Sequence, residues 1–120
     1  MNKKNKLLTV VGTRPELIRL SRIIPCLDKS FDHILVHTNQ NFDKNLNEIF
    51  FKDLEIRKPD YFFKTKNVSS IKLIGDIFVK IQKIIDKEKP NAFFVLGDTN
   101  SCLTAYVAKK NKILYYINFL

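Results

Sequence analysis

What the 120-residue chain lacks narrows it first. It has only three glycines and four prolines against a hydrophobic content of 45%, which excludes disordered and fibrous classes. Its two cysteines, Cys26 and Cys102, lie far apart with no Cys-x-x-Cys or paired-histidine spacing. That excludes a disulfide framework and a metal site, and both are read as buried thiols. Long hydrophobic runs are also missing. Behind the basic start, the apolar stretch Leu7 to Val11 soon meets Arg14 and Glu16, too short for a signal peptide or a membrane span. A cytoplasmic location without a membrane partner is expected. No Gly-x-Gly-x-x-Gly follows the first apolar run and no Gly-Lys-Ser or Gly-Lys-Thr loop occurs, so neither a dinucleotide cofactor nor a phosphate-loop nucleotide is expected in the usual manner.

Charge of one sign is plentiful, with a net charge of +9. The 17 lysines are scattered over helix faces and loops, as at Lys72, Lys80, Lys83 and Lys87, and cluster only at Lys3, Lys4 and Lys6. This is a solvated lysine-rich surface, and nucleic acid is not an expected partner. The length allows one domain, residues 1–120.

What is present is an alternation of strands and helices. Leu7 to Val11 reads as a buried strand. The helix after it places Leu17, Leu20, Ile24 and Leu27 on one face, with Pro25 kinking its last turn rather than ending it. His33 to His37 is a second strand, Phe42 to Leu54 a helix and Tyr61 to Phe63 a short third strand. Val68 to Lys87 carries the clearest amphipathic stripe, Ile71, Ile74, Phe78, Ile81 and Ile85, with Ser69 or Ser70 as cap. Gly75 within it is expected to admit a close neighbour. Ala92 to Leu96, a helix over Thr99 to Lys109 and a strand over Ile113 to Ile117 complete the pattern. The fold class is α/β, a doubly wound parallel sheet.

Two strand-to-helix junctions stand out. The first strand stops at Gly12-Thr13-Arg14-Pro15-Glu16, which is either an ordinary turn or a place where unpaired amides and Arg14 hold an anion. The fourth strand stops at Gly97-Asp98-Thr99-Asn100. With strand order 3-2-1-4 these junctions meet at the topological switch point, where ligands bind. Asp98 is either a helix cap or a proton-transfer group, and His37 either a ligand or a loop residue.

With these residues in hand, the chain resembles the N-terminal part of the non-hydrolysing UDP-N-acetylglucosamine 2-epimerases. The resemblance rests on Leu8-Thr9-Val10-Val11-Gly12-Thr13-Arg14-Pro15-Glu16, on His37-Thr38-Asn39-Gln40-Asn41, on Lys89-Pro90 and on Gly97-Asp98-Thr99-Asn100-Ser101. It implies a Rossmann-like N-terminal lobe of a glycosyltransferase-B-like fold. It also implies inversion at C2 of the sugar, by elimination of UDP and its re-addition from the other face, without a redox or metal cofactor. Arg14, with the amides around Gly12 and Thr13, is implied to hold the uridine diphosphate, and Arg19 to add to it. Pro15, Glu16, His37, Gln40, Gly97 and Thr99 join them as substrate-binding positions, and Asp98 matches a catalytic carboxylate. The family's homodimer is the implied assembly.

The departures point to a truncated lobe. The family's His-x-Glu-Ala-Gly stretch, its second catalytic glutamate and its C-terminal lobe are not matched, and Asn39 stands where relatives often have Gly. A frameshift, an early stop or a divided gene would each leave such a chain. The expected function is an epimerase fragment inactive alone. The alternatives are half of a split epimerase, paired with a separately encoded C-terminal lobe, and a stand-alone nucleotide-binding or regulatory module. An incomplete sheet edge is expected to expose Tyr115, Tyr116, Phe119 and Leu120.

Overall fold

Continuous burial in the central strands β1 and β2 and one-sided burial in the helices produce a five-stranded parallel sheet with helices on both faces. The computed structural model describes residues 4–39, 46–64, 69–97 and 100–118, Asn100 through its backbone only. The elements are β1 (Lys6–Val11), α1 (Arg14–Leu20), α2 (Ile23–Ser30), β2 (Asp32–His37), α3 (Glu48–Asp53), β3 (Tyr61–Phe62), α4 (Ser70–Glu88), β4 (Ala92–Leu96), a 3-10 turn (Asn100–Thr104), α5 (Ala105–Lys110) and β5 (Leu114–Asn118).

The strand order is β3-β2-β1-β4-β5. Val11 pairs with His37 and Val10 with Val95, so β1 lies between β2 and β4. One sheet face carries Leu8, Val10, Ile34, Val36, Phe93 and Val95 against α4 and α5. The other carries Val11, Leu35 and Leu96 against α1, α2 and α3. The helices therefore change face between β1 and β4, which makes that boundary the switch point.

Several local expectations are corrected. Pro25 belongs to the first turn of a separate helix, α2, and the chain breaks at Ser21 and Arg22. A proline ring clashes with the carbonyl four residues earlier, here that of Ser21, so the break falls one turn before the ring. Gly75 admits no neighbour, since a Cβ built there meets nothing within 4 Å. α4 buries Ile77, Ile81, Ile84 and Ile85, and Ile71 is 80% exposed. Ile81 and Ile85 of the expected stripe are thus buried and Ile74 and Phe78 half-buried, Ile77 and Ile84 widen it, and Gly75 falls on the solvent side. Cys26 is exposed on the outer side of α2, its thiol donating to the Arg22 carbonyl at 3.6 Å, and Cys102 is half-buried; neither is the buried thiol expected.

A polar cluster beneath the sheet ties β1, α2, β2 and the approach to β3. The His33 ring, its side chain fully enclosed, lies with Nδ1 2.7 Å from Asp28 Oδ1 and Nε2 2.7 Å from Thr9 Oγ1. A carboxylate only accepts, so Nδ1 carries the proton and Nε2 accepts the Thr9 hydroxyl. Burial lowers the His33 pKa below its ordinary 6.5, against the raising pull of the Asp28 hydrogen bond and charge. The His33 and Asp28 pair is therefore a hydrogen bond at neutral pH and not an ion pair. Arg57 completes the cluster, donating from Nε to both Asp28 oxygens at 3.1 Å and pairing with Asp60 at 3.0 Å.

β5 is the edge of the described sheet, with Leu114 60%, Tyr116 54% and Tyr115 38% exposed. A groove of about 310 Å³ runs beside it between Leu27, Phe31, Phe94, Leu114 and Tyr116. The expected exposure of Tyr115 and Tyr116 is met, while Phe119 and Leu120 lie outside the described residues.

Candidate functional site

The site is built from the two junctions. After Val11 the chain turns through Gly12 and Thr13 into α1, and Thr13 is extended at φ −138°, ψ 161°. Its Oγ1 accepts the Glu16 amide at 3.4 Å. Glu16 returns the contact, its carboxylate accepting the Thr13 amide at 2.9 Å and the Gly12 amide beside it. This is a capping box, written in the sequence as Thr-x-x-Glu. Pro15 occupies the exposed first turn, where a missing N–H leaves no hydrogen bond unmade.

The second junction reaches the same carboxylate. Ser101, in the turn after β4, donates its hydroxyl to Glu16 Oε2 at 3.2 Å. Glu16 has no solvent exposure and Ser101 has 1%. A buried carboxylate is tolerated only when its oxygens are satisfied, and three donors converge on this one. The two loops therefore meet as expected.

The helix-start amides expected to hold an anion have a partner of their own. The amides of Gly12 and Thr13 are taken up by Glu16, and Glu16 itself points inward rather than toward a ligand. The anion at this helix start is the protein's own. What the loop offers outward is Arg14, half-exposed on the first residue of α1 with its guanidinium carbon 5.8 Å from the Phe50 ring centroid. Arg19 is exposed in the last turn of the same helix.

His37 ends β2 next to Val11 and is fully buried. Its Nδ1 accepts the Asn39 amide at 2.9 Å, and its ring stacks on Phe62 with centroids 5.1 Å apart. These contacts place it among the residues that shape the loop. Asn39 takes φ 52°, a left-handed conformation that asparagine tolerates better than other non-glycine residues. Thr38 is fully buried, and its Oγ1 has no hydrogen-bond partner among the described residues. Gly97, half-buried, donates its amide to the Asn118 carbonyl at 2.8 Å, tying the end of β4 to β5. Gln40, Asp98 and Thr99 lie outside the described residues. Among the described residues no group of three or more His, Cys, Asp or Glu side chains is placed to hold a metal, and no helix is long and apolar enough to cross a membrane.

The profile of the UDP-N-acetylglucosamine 2-epimerase family matches residues 26–116. The solved structure of a UDP-N-acetylglucosamine 2-epimerase from Rickettsia bellii superposes with a TM-score of 0.83 at 48% identity, covering 95% of this chain and 30% of that one. The Methanocaldococcus jannaschii UDP-GlcNAc 2-epimerase in complex with UDP-GlcNAc and UDP gives 0.83 at 39% identity, covering 93% of this chain and 32% of that one. A UDP-2,3-diacetamido-2,3-dideoxy-D-glucuronate 2-epimerase of Pseudomonas aeruginosa is 39% identical over 105 residues, 86% of this chain and 30% of that protein. The chain thus spans about 30% of the length of these relatives. By its sheet order, its two joined junctions and these matches, the chain belongs to the UDP-N-acetylglucosamine 2-epimerase family.

Proposed function

We propose that this chain is the N-terminal nucleotide-sugar lobe of a UDP-sugar 2-epimerase, binding the UDP moiety weakly and completing no turnover alone. The observation that carries the reading is the Ser101–Glu16 contact, which holds the β1 and β4 junctions together with Arg14 at their rim. Arg14, with Arg19 one turn on, faces the diphosphate, where guanidinium groups offset the charge on a departing UDP. Asp98 exchanges a proton at C2 of the sugar, and Gln40, Gly97 and Thr99 line the sugar side. Gly12, Thr13, Pro15, Glu16 and His37 serve by shaping the walls. Inversion at C2 needs both a base and an acid for the return step, and a single carboxylate does not supply both faces. The remaining groups belong to the rest of the family fold, in a homodimeric assembly. The work is cytoplasmic and supplies sugars for polysaccharide biosynthesis.

The test is direct. UDP-N-acetylglucosamine is incubated with the purified chain and followed by proton NMR, while UDP is titrated against the chain by phosphorus NMR. Saturable UDP binding without epimerisation is expected. Turnover by the chain alone overturns the claim of inactivity, and absence of any UDP response overturns the nucleotide reading. The Pseudomonas relative acts, by its name, on a diacetamido glucuronate, which favours running that sugar nucleotide beside the first.

A further inference from the structure

We propose that Phe50 is a positioning residue for the diphosphate, its ring face holding the Arg14 guanidinium toward the ligand side of the first junction. The proposal rests on the nucleotide reading given above. Arg14 begins α1 and Phe50 lies in the first turn of α3, so nothing in the chain's local geometry brings them together. They meet because both helices cover the same sheet face, with the guanidinium carbon 5.8 Å from the ring centroid. That is within the range of attraction between a cation and the negative face of an aromatic ring.

Phe50 is itself held from two sides. Asn47 caps α3, its side-chain oxygen accepting the Phe50 amide at 3.1 Å, which sets the backbone from which the ring projects. Phe51, 94% buried in the core beside it, meets the Phe50 ring edge-on at 5.8 Å and 76°. The half-buried Phe50 therefore has a fixed inner edge and leaves a face for Arg14. An arginine free in solvent loses much rotamer freedom when it clamps a ligand, and a planar guanidinium resting on a ring has lost part of it beforehand. With the Gly12 and Thr13 amides already engaged by Glu16, the aim of this side chain matters more than it would in an open amide cradle.

The experiment titrates UDP against the whole chain by phosphorus NMR for the parent, Phe50→Leu, Phe50→Trp and Arg14→Ala, with the thermal midpoint of each recorded. Phe50→Leu is expected to weaken UDP about two- to fivefold, as loss of an exposed cation–ring contact implies. Phe50→Trp, which keeps the ring face, is expected to bind UDP at least as tightly as the parent even where its midpoint falls. Arg14→Ala is expected to lose ten-fold or more. Parent-like affinity in Phe50→Leu beside a crippled Arg14→Ala overturns the positioning role and leaves the nucleotide reading intact. Loss in Phe50→Trp as large as in Phe50→Leu overturns it as well, since packing alone would then account for both. Unchanged binding in Arg14→Ala overturns the positioning role alone, and no binding by the parent overturns the nucleotide reading on which it rests.

Discussion

Ser101 donates its hydroxyl to Glu16 across 85 residues of sequence, at 3.2 Å, and fastens the turn after β4 to the turn after β1. The geometry makes Glu16 the common acceptor of both loops, and its removal strands three buried donors at once. Glu16→Ala is expected to cost about 3 kcal/mol or more in urea unfolding, since each stranded donor forfeits its desolvation. Ser101→Ala is expected to cost about 1 kcal/mol. The double-mutant cycle should show a coupling of at least about 0.5 kcal/mol between them; strict additivity would mean the contact carries no stability.

His33 sets an acid sensitivity. Its folded pKa lies below the 6.5 of the unfolded side chain because burial disfavours the charged ring, with Asp28 and Asp60 pulling upward and Arg57 downward. Below pH 6.5 the unfolded chain takes up a proton that the folded chain refuses, so stability falls as pH drops from 6.5 toward the folded pKa and then levels for this group. His33→Gln is expected to flatten that part of the curve. Parallel parent and variant curves between pH 7 and 5 in equilibrium unfolding would show that the group is not responsible.

Gly75→Ala should stabilise the chain. The position lies in α4, exposed, with open space for a Cβ. Removing the glycine's extra unfolded-state freedom is expected to add about 0.5 to 1 kcal/mol by urea unfolding. A loss of stability would mean that something approaches this helix face.

The edge strand should govern association. Leu114, Tyr116 and Ile117 are exposed along β5, whose outer backbone has no strand beside it in the described sheet. Tyr116→Lys with Ile117→Lys is expected to lower concentration-dependent light scattering and leave the thermal midpoint within a few degrees, because charged edges resist strand pairing. Unchanged scattering would place association elsewhere.

The architecture was open to reading wherever burial repeats with a clear period. β4 runs over Ala92–Leu96 as the sequence indicated, and β1 lies beside β4 as the usual order of a doubly wound sheet implies. What escaped was set by tertiary contact. The width of α4's buried face, which takes in Ile77 and Ile84 beside the expected Ile81 and Ile85, depends on how the helix sits over Val95 and Phe93. The left-handed positions fell on Asn39, Glu55, Lys89 and Lys112, while none of the described glycines takes a positive φ. At the site, Thr13-x-x-Glu16 was a visible capping signature, and reading it would have shown that the helix-start amides were already engaged. Ser101 as the third donor carried no local signal, because its partner lies in another loop.

The inward carboxylate also bears on which anions the protein ignores. A helix start with bare amides, on a chain of net charge +9, would attract inorganic phosphate, sulfate and nucleic-acid backbones indiscriminately. With Glu16 seated there, the Gly12 and Thr13 amides are already engaged when a phosphate passes. An anion at this turn would have to be held by side chains such as the outward guanidinium of Arg14 rather than by these two backbone amides.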